Sequence, residues 1–210
     1  MTIRRLAFAA ALALASTAHA QAPLAPVIEQ GSLAELDAWA VGALARGEPA
    51  LPRSLWAQSD PAGLALLMDR VPAAPGSPAG LRLARQALLS PAAAPPGDAL
   101  TATRKRYETL ARLGAADEIV AMVAGSGEAK RDPAIALYAT QADLARGRLR
   151  DACRRADTVQ PDAPPPFILR LRALCFAAAG EKEGADLALE VARTAGAGDP
   201  WFQSVVAMAN

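Results

Sequence analysis

The sequence predicts an all-α protein built from stacked helical hairpins, and three observations lead to this fold class. Gly114, Gly147 and Gly180 lie 33 residues apart, and each separates two apolar runs of helical length. A fixed period of this length, with two helices per period, is typical of helical repeat proteins. Alanine and leucine, which favour helices, dominate the composition. β-Branched residues are sparse, and no alternating apolar run is bounded by a hairpin turn.

The chain opens with the layout of a secretory signal peptide over residues 1–20. Arg4 and Arg5 precede an apolar run over residues 6–15, and small residues near position 20 predict cleavage after Ala20. The apolar run is too short to span a bilayer comfortably, so we expect no membrane insertion of the mature chain. The alternative is an amphipathic N-terminal helix of a cytosolic protein. The layout favours export to the periplasm of a Gram-negative bacterium.

Removal of the signal peptide changes the chemistry of the chain. Cleavage removes the sole histidine, His19, and two arginines, which leaves 20 basic and 21 acidic side chains in 190 residues. This balance gives no attraction to nucleic acid or to an anionic membrane surface, so we expect neither as a partner. Ser/His/Asp and Cys/His nucleophile systems need a histidine, and no residue cluster has the spacing of metal ligands. The sequence therefore predicts no enzyme activity, no metal and no cofactor.

Two polar patterns have structural rather than chemical explanations. Residues 125–130, GSGEAK, contain glycines and a lysine but lack the GxxxxGK[ST] spacing of phosphate-binding loops, so we predict a flexible loop there. The carboxylate pairs fall in the first turns of predicted helices, where negative charge favours the helix dipole. These pairs are Asp117 with Glu118 and Glu181 with Glu183.

The two cysteines, Cys153 and Cys175, both remain after cleavage. An even number of cysteines in an exported chain suggests a disulfide, because the compartment is oxidising. A redox CxxC pair is absent, and two thiols without a histidine are a poor metal site. We therefore predict a structural disulfide between them.

A Pro/Ala-rich loop over residues 90–97 divides the rest of the chain into two parts. Before the loop, residues 21–31 are predicted to be an extended lead-in and residues 32–97 irregular helices; residues 98–210 have the regular hairpin rhythm. Capping and stop residues predict helices over the following ranges: 32–46, 60–71, 77–89, 99–113, 115–124, 133–146, 148–158, 165–179, 181–195 and 200–209. The loop is either a hinge between two halves or a stiff, packed connection.

The regular half resembles a degenerate array of tetratricopeptide-type repeats. That family pairs two helices across a Gly-containing turn, with a small residue where the helices cross and a proline before the next unit. The best unit has Ala173 at the small crossing site, Gly180 in the turn and Ala185 on the second helix. The earlier units depart from the pattern, since Thr140 and Tyr107 stand at the small crossing site.

The resemblance implies a right-handed superhelix of stacked helix-turn-helix hairpins, a TPR-like α-solenoid, with first helices lining a concave groove. It places Cys153 and Cys175 on neighbouring helices of successive units. Surfaces of this kind hold a protein or peptide and seldom carry chemistry. The alternative is an irregular α-bundle whose glycine spacing is accidental. We therefore predict a non-catalytic module or scaffold that binds another envelope protein or peptide, and the sequence does not indicate its oligomeric state.

Five polar side chains would face the groove of such a superhelix: Arg104, Glu108, Arg112, Gln141 and Arg170. Arginine offers a bidentate fork that suits an acidic or carboxylate-ended peptide. The alternative is an ordinary solvated face, to which the whole basic run 104–106 would also belong. Two other functions stay open. An accessory structural subunit would expose an apolar surface around Trp201 and Phe202, and a cell-wall hydrolase or transglycosylase would need a deep cleft with a perturbed carboxylate.

Overall fold

The structure, a computed structural model, describes residues 37–74, 76–159 and 164–209. These ranges contain nine α-helices, one 3₁₀ helix and no β-strand, which confirms the all-α prediction. The helices are α1 (Pro61–Asp69), α2 (Pro78–Leu89), α3 (Leu100–Arg112), α4 (Ala116–Gly125), α5 (Pro133–Ala145), α6 (Leu149–Thr158), α7 (Pro166–Ala178), α8 (Lys182–Thr194) and α9 (Pro200–Ala209). The predicted signal peptide and the lead-in over residues 21–31 lie outside the described residues.

Nine of the ten predicted helices coincide with α1–α9 to within two residues at each end. Their starts follow local chemistry. Asp60, Ser77 and Asp132 each accept a hydrogen bond from the N–H of the third residue along, at 2.7, 3.0 and 3.2 Å, and a proline follows each cap. The proline costs nothing there because the first N–H groups of a helix have no partner within it.

The three periodic glycines end helices, as predicted. Gly114, Gly147 and Gly180 have φ values of 69°, 70° and 77°, a left-handed conformation that side chains disfavour and that closes a helix. Each one joins the two helices of a hairpin: α3 with α4, α5 with α6, and α7 with α8. The 33-residue period in the sequence is therefore a period of the backbone.

The predicted helix over residues 32–46 is wrong in its described part, which begins at residue 37. After one turn at residues 38–40 the chain is non-helical to residue 45. The Trp39 carbonyl accepts from the N–H of Ala92 at 2.7 Å, and the N–H of Ala43 donates to the Leu89 carbonyl at 3.0 Å. These bonds to distant residues replace the helical ones, so tertiary contacts override the local helix propensity.

The Pro/Ala-rich loop over residues 90–97 is a packed connection. Ala92 is buried, and the N–H of Ala93 donates to the Arg53 carbonyl at 2.7 Å. The buried Ser90 hydroxyl accepts from the N–H of Leu51 at 3.0 Å. Both bonds tie the loop to the chain that precedes α1, so the loop is fixed against the N-terminal half and is not a free hinge.

One hydrophobic core spans the boundary between those halves. It contains side chains from the first described segment, from α1 and α2, and from α3, α4 and α5, including Trp39, Leu64, Leu88, Leu110 and Ile119. α1 packs on α3, and α3 packs on α5. Residues 37–97 are therefore part of the same body as the regular half, and the described residues all belong to one compact unit over residues 34–210.

Smaller apolar clusters continue the core toward the last helix. Ala136, Ala152 and Ile168 belong to a cluster of α5, α6 and α7, while Ala173, Ala185 and Val206 belong to one shared by α7, α8 and α9. α6 packs on α7, and α7 packs on both α8 and α9. The first of these clusters joins α6 and α7 to α5, whereas the second contains only residues of α7, α8 and α9.

The predicted flexible loop over residues 125–130 has a different form. α4 ends at Gly125, and Gly127–Arg131 forms the 3₁₀ helix. Ser126 is buried, and its hydroxyl lies 2.7 Å from the hydroxyl of Tyr107, which is also buried. This pairing explains why a tyrosine occupies a site where the repeat pattern expects a small residue: the ring fills the core, and Ser126 satisfies its hydroxyl.

Candidate functional site

The predicted groove arginines on α3 and α7 bind helix caps within the chain. Arg104 Nη2 lies 2.6 Å from Asp132 Oδ2, and Arg170 Nη1 lies 3.6 Å from Asp199 Oδ2. Asp132 caps α5, and Asp199 accepts from the first N–H groups of α9. Each arginine thus reaches from one helix to the start of the helix after next. These contacts align α3 with α5 and α7 with α9.

The remaining predicted groove residues lie on α3 and α5. Arg112 donates to the carbonyls of residues 68, 69 and 71, at 2.8–3.2 Å, where α1 ends. Glu108 lies 3.0 Å from Lys105 Nζ, which also binds Asp69 at 2.8 Å. Gln141 is half-buried on α5. All three groove arginines therefore have partners within the chain, and their use as a clamp for an acidic peptide stays a prediction.

We expect the Arg104–Asp132 ion pair to contribute little to stability. The Arg104 side chain is 45% exposed, and exposed ion pairs are worth about 0–1 kcal/mol because water and salt screen them. A double-mutant cycle with Arg104→Ala and Asp132→Asn, followed by urea unfolding, measures this coupling. Because asparagine retains an oxygen that can cap α5, the cycle measures the contribution of the charge alone. A coupling free energy above about 2 kcal/mol would show that the pair is a main determinant of the stack.

A buried carboxylate connects α5 to α6. Asp143 is almost fully buried and accepts from Arg155 Nε at 3.0 Å, and Arg146 Nη1 lies 3.6 Å from its other oxygen. Arg146 also binds Asp117 of α4 at 2.6 Å. The charges compensate one another, as buried charges must. We therefore interpret this network as structural, since it connects α4, α5 and α6.

The position of Arg106 differs from the sequence-based interpretation. The basic run 104–106 suggested a solvated face, but Arg106 is fully buried on α3. Its guanidinium donates to the carbonyls of Leu88 at 2.7 Å, Ser90 at 3.1 Å, Ala38 at 3.1 Å and Val41 at 3.3 Å. It joins the end of α2 to the segment over residues 38–41. A spacing signal was present, because position 106 falls on the buried face of α3.

Carbonyl dipoles and the face of one aromatic ring surround the Arg106 guanidinium. The guanidinium carbon lies 5.0 Å from the centre of the Trp39 ring, a cation–π geometry. The Trp39 indole N–H donates to Thr103 Oγ1 at 2.8 Å, which fixes the ring. Burial lowers the pKa of Arg106 to about 10, so the side chain stays charged at neutral pH. The guanidinium makes its hydrogen bonds to groups within the protein, and Arg106 thereby holds two segments of the chain together.

The predicted disulfide is present. Cys153 on α6 and Cys175 on α7 are bonded, with their Cα atoms 5.7 Å apart, and the described residues contain no free cysteine. The bridge connects two consecutive hairpins, at the junction between the α6–α7 cluster and the last three helices.

An open cleft of about 790 Å³ lies between residues 43–49, α2 and α4, and we call it the α2–α4 cleft. Its apolar lining comes from residues that include Leu44, Leu89 and Ala121. Charged side chains of both signs surround this lining: Glu48, Arg82, Arg85, Asp117 and Glu118. Arg85 is paired with Glu118, whereas Arg82 is exposed and makes no hydrogen bond or ion pair to any described residue.

Comparison with known proteins adds no family to this description. No family model, curated protein or solved structure matches the chain. The described part of the chain contains no group of three or more His, Cys, Asp or Glu side chains placed to hold a metal ion. Among its helices, none has the length and apolar character needed to cross a membrane.

The last helix carries a second notable surface. Trp201 is 72% exposed and Met208 is 79% exposed, while Val206 is buried and Phe202 is partly buried against α7 and α8. The sequence had linked Trp201 and Phe202 as one apolar surface, but the structure places them on different sides of α9. The ten residues of α9 include no charged side chain. This combination of exposure and absent charge is uncommon for a helix that faces only water.

Proposed function

We propose that this protein is an exported, non-catalytic module that binds an extended segment of another envelope protein in the α2–α4 cleft. The observation that carries the proposal is the cleft itself: an apolar lining, a charged rim and a volume of about 790 Å³. Ligand sites in proteins have this size and this combination of apolar walls with a few polar groups. The proposed location is the periplasm.

Two features support export and the periplasm. The disulfide between Cys153 and Cys175 suits an oxidising compartment. Residues 1–20 have the charge, apolar run and small residues of a cleavable signal peptide.

We propose a TPR-like right-handed stack as the scaffold, and the contacts between helices support its hairpin order. Each glycine-linked hairpin packs internally, α4 packs on α5, and α6 packs on α7. α3 also packs on α5 and α7 on α9, as expected for the first helices of successive units, whereas α5 and α7 do not pack closely on each other. A rigid stack of this kind would hold the walls of the cleft, since α4 and the segment over residues 38–45 both pack into the main core.

The lining of the cleft favours a peptide with an apolar residue next to an acidic one. Leu44 and Ala121 offer the apolar contact, and Arg82 offers a guanidinium with no partner among the described residues. Arg85 and Glu118 neutralise each other and Asp117 binds Arg146, so Arg82 is the rim cation left for a ligand, with Glu48 as an acidic neighbour in the lining. The predicted groove arginines are less suited to this role, because each is already bound to a cap or a helix end.

To test this proposal, peptides that bind the mature protein would be selected from a random peptide display library. Their affinities for the protein would then be measured. We expect ligands with an apolar residue beside an acidic one. Ala121→Trp should weaken their binding at least tenfold, because Ala121 is exposed and the indole would fill the cleft. Ala145→Trp is the matched control, since Ala145 is an exposed helical alanine outside this cleft, and should leave affinity unchanged. Equal binding by both variants would remove the cleft as the site.

A further inference from the structure

We infer that the exposed face of α9 is a self-association surface, on which a second copy of this chain docks with its own α9 in antiparallel orientation. This surface is separate from the α2–α4 cleft. It consists of Trp201, Ser204, Val205 and Met208, which follow the i, i+3, i+4, i+7 spacing of one helix face. We call it the α9 face.

The α9 face is preformed. On the opposite side of the helix, Phe202 and Val206 pack against α7 and α8. Asp199 accepts from the N–H of Trp201 at 3.0 Å, and its carboxylate lies 3.6 Å from Arg170 of α7. A helix held in this way presents its outer face without an ordering cost on binding.

The pattern of side chains is self-complementary. A two-fold axis between residues 204 and 205 would place Trp201 of each copy opposite Met208 of the other, with Ser204 and Val205 at the crossing point. A two-fold interface needs a patch that matches itself. Indole and thioether make favourable contacts with each other, and the small Ser204 lets two helix backbones approach closely.

The charges on α9 favour a second copy over a membrane surface. Residues 200–209 contain no lysine, arginine, aspartate or glutamate, so two such faces meet without like-charge repulsion. Helices that lie on anionic membranes carry lysine and arginine on their polar side, and α9 has neither. The large exposed apolar side chains, 72% for Trp201 and 79% for Met208, are of the kind that marks an interaction surface.

The expected dimer is weak. One ten-residue helix, about 15 Å long, contributes the pairing, so the interface is smaller than the roughly 1,200 Å² at which stable specific interfaces begin. We expect sedimentation equilibrium of the mature protein to show a monomer–dimer equilibrium at micromolar concentrations. Trp201→Glu and Met208→Glu should each weaken dimerisation at least tenfold, because the glutamates would meet apolar partners. Leu66→Glu, which changes a 63% exposed leucine on α1, should leave the equilibrium unchanged.

A crosslink tests the antiparallel geometry. Because the described residues contain no free cysteine, Ser204→Cys introduces a single thiol beside the proposed axis. We expect it to form a disulfide-linked dimer under mild oxidation, whereas Ser54→Cys, at an exposed site before α1, should stay monomeric. Three results would each overturn the inference: a monomer up to several hundred micromolar, a dimer that persists in Trp201→Glu, or equal crosslinking at positions 54 and 204.

Discussion

Replacing Arg106 with methionine should lower the free energy of unfolding by about 3–5 kcal/mol, since each buried carbonyl left without a donor costs about 1–3 kcal/mol and the relief of burying no guanidinium offsets part of the sum. The buried guanidinium donates to four carbonyls on two segments of chain. Methionine fills part of the volume but donates nothing, so those acceptors would stay buried without a partner. Urea unfolding followed by far-ultraviolet circular dichroism measures the loss.

Two further variants make the Arg106 prediction specific. Arg104→Met removes an exposed arginine two residues away and should cost about 1 kcal/mol or less. Arg106→Lys keeps the charge but cannot bind four divergent carbonyls with one ammonium group, so it should recover only part of the loss. If Arg106→Met were no more destabilising than Arg104→Met, the four carbonyl bonds would not hold residues 38–41 in place.

Removal of the disulfide should destabilise mainly the C-terminal helices. The bridge closes a loop with a sequence separation of 22, for which the chain-entropy model gives about 3 kcal/mol. Replacing both Cys153 and Cys175 with alanine should therefore lower the free energy of unfolding by about that amount. Hydrogen exchange should become faster in α7, α8 and α9, because the cluster that these three helices share is small and contains no residue of the larger core.

The native protein under reducing conditions is the companion measurement for the disulfide. Reduction should reproduce the exchange pattern of the double alanine variant, and unreduced denatured protein should show no titratable thiol. A uniform increase in exchange that includes α1 and α3 would contradict the localised effect. In that case the bridge would stabilise the protein as one cooperative unit.

Local signals explain which helices could be predicted. The caps at Asp60, Ser77 and Asp132 and the stops at Gly114 and Gly147 act within one helical turn, so the sequence around each one is sufficient. The disulfide was also predictable, because a chain with two cysteines offers a single pairing.

The failures have a common physical cause, which is contact between residues far apart in the sequence. The segment over residues 37–46 has helical composition, but Arg106 and Ala92 use its carbonyls from 50 or more residues away. The α2–α4 cleft exists because that segment is non-helical and forms one of its walls.

For the predicted groove, the sequence lacked a different kind of information. The spacing of Arg104 and Arg112 predicts that they share one face of α3, but spacing gives no information on which side chains already have partners. In the structure Arg104 binds a cap, and Arg112 binds the end of α1. Arg82, which shares no pattern with them, is the arginine that lines the cleft without a partner among the described residues.

Site-specific photo-crosslinking in living cells is the most direct test of the central claim, that the exported protein holds a segment of another polypeptide in the α2–α4 cleft. A photoreactive residue would replace Ala121 in the cleft or Ala145 outside it, and adducts would be analysed in the periplasmic fraction. We predict a covalent adduct with another polypeptide from position 121 and none from position 145. Absence of an adduct at 121, or the same adduct at both positions, would contradict it.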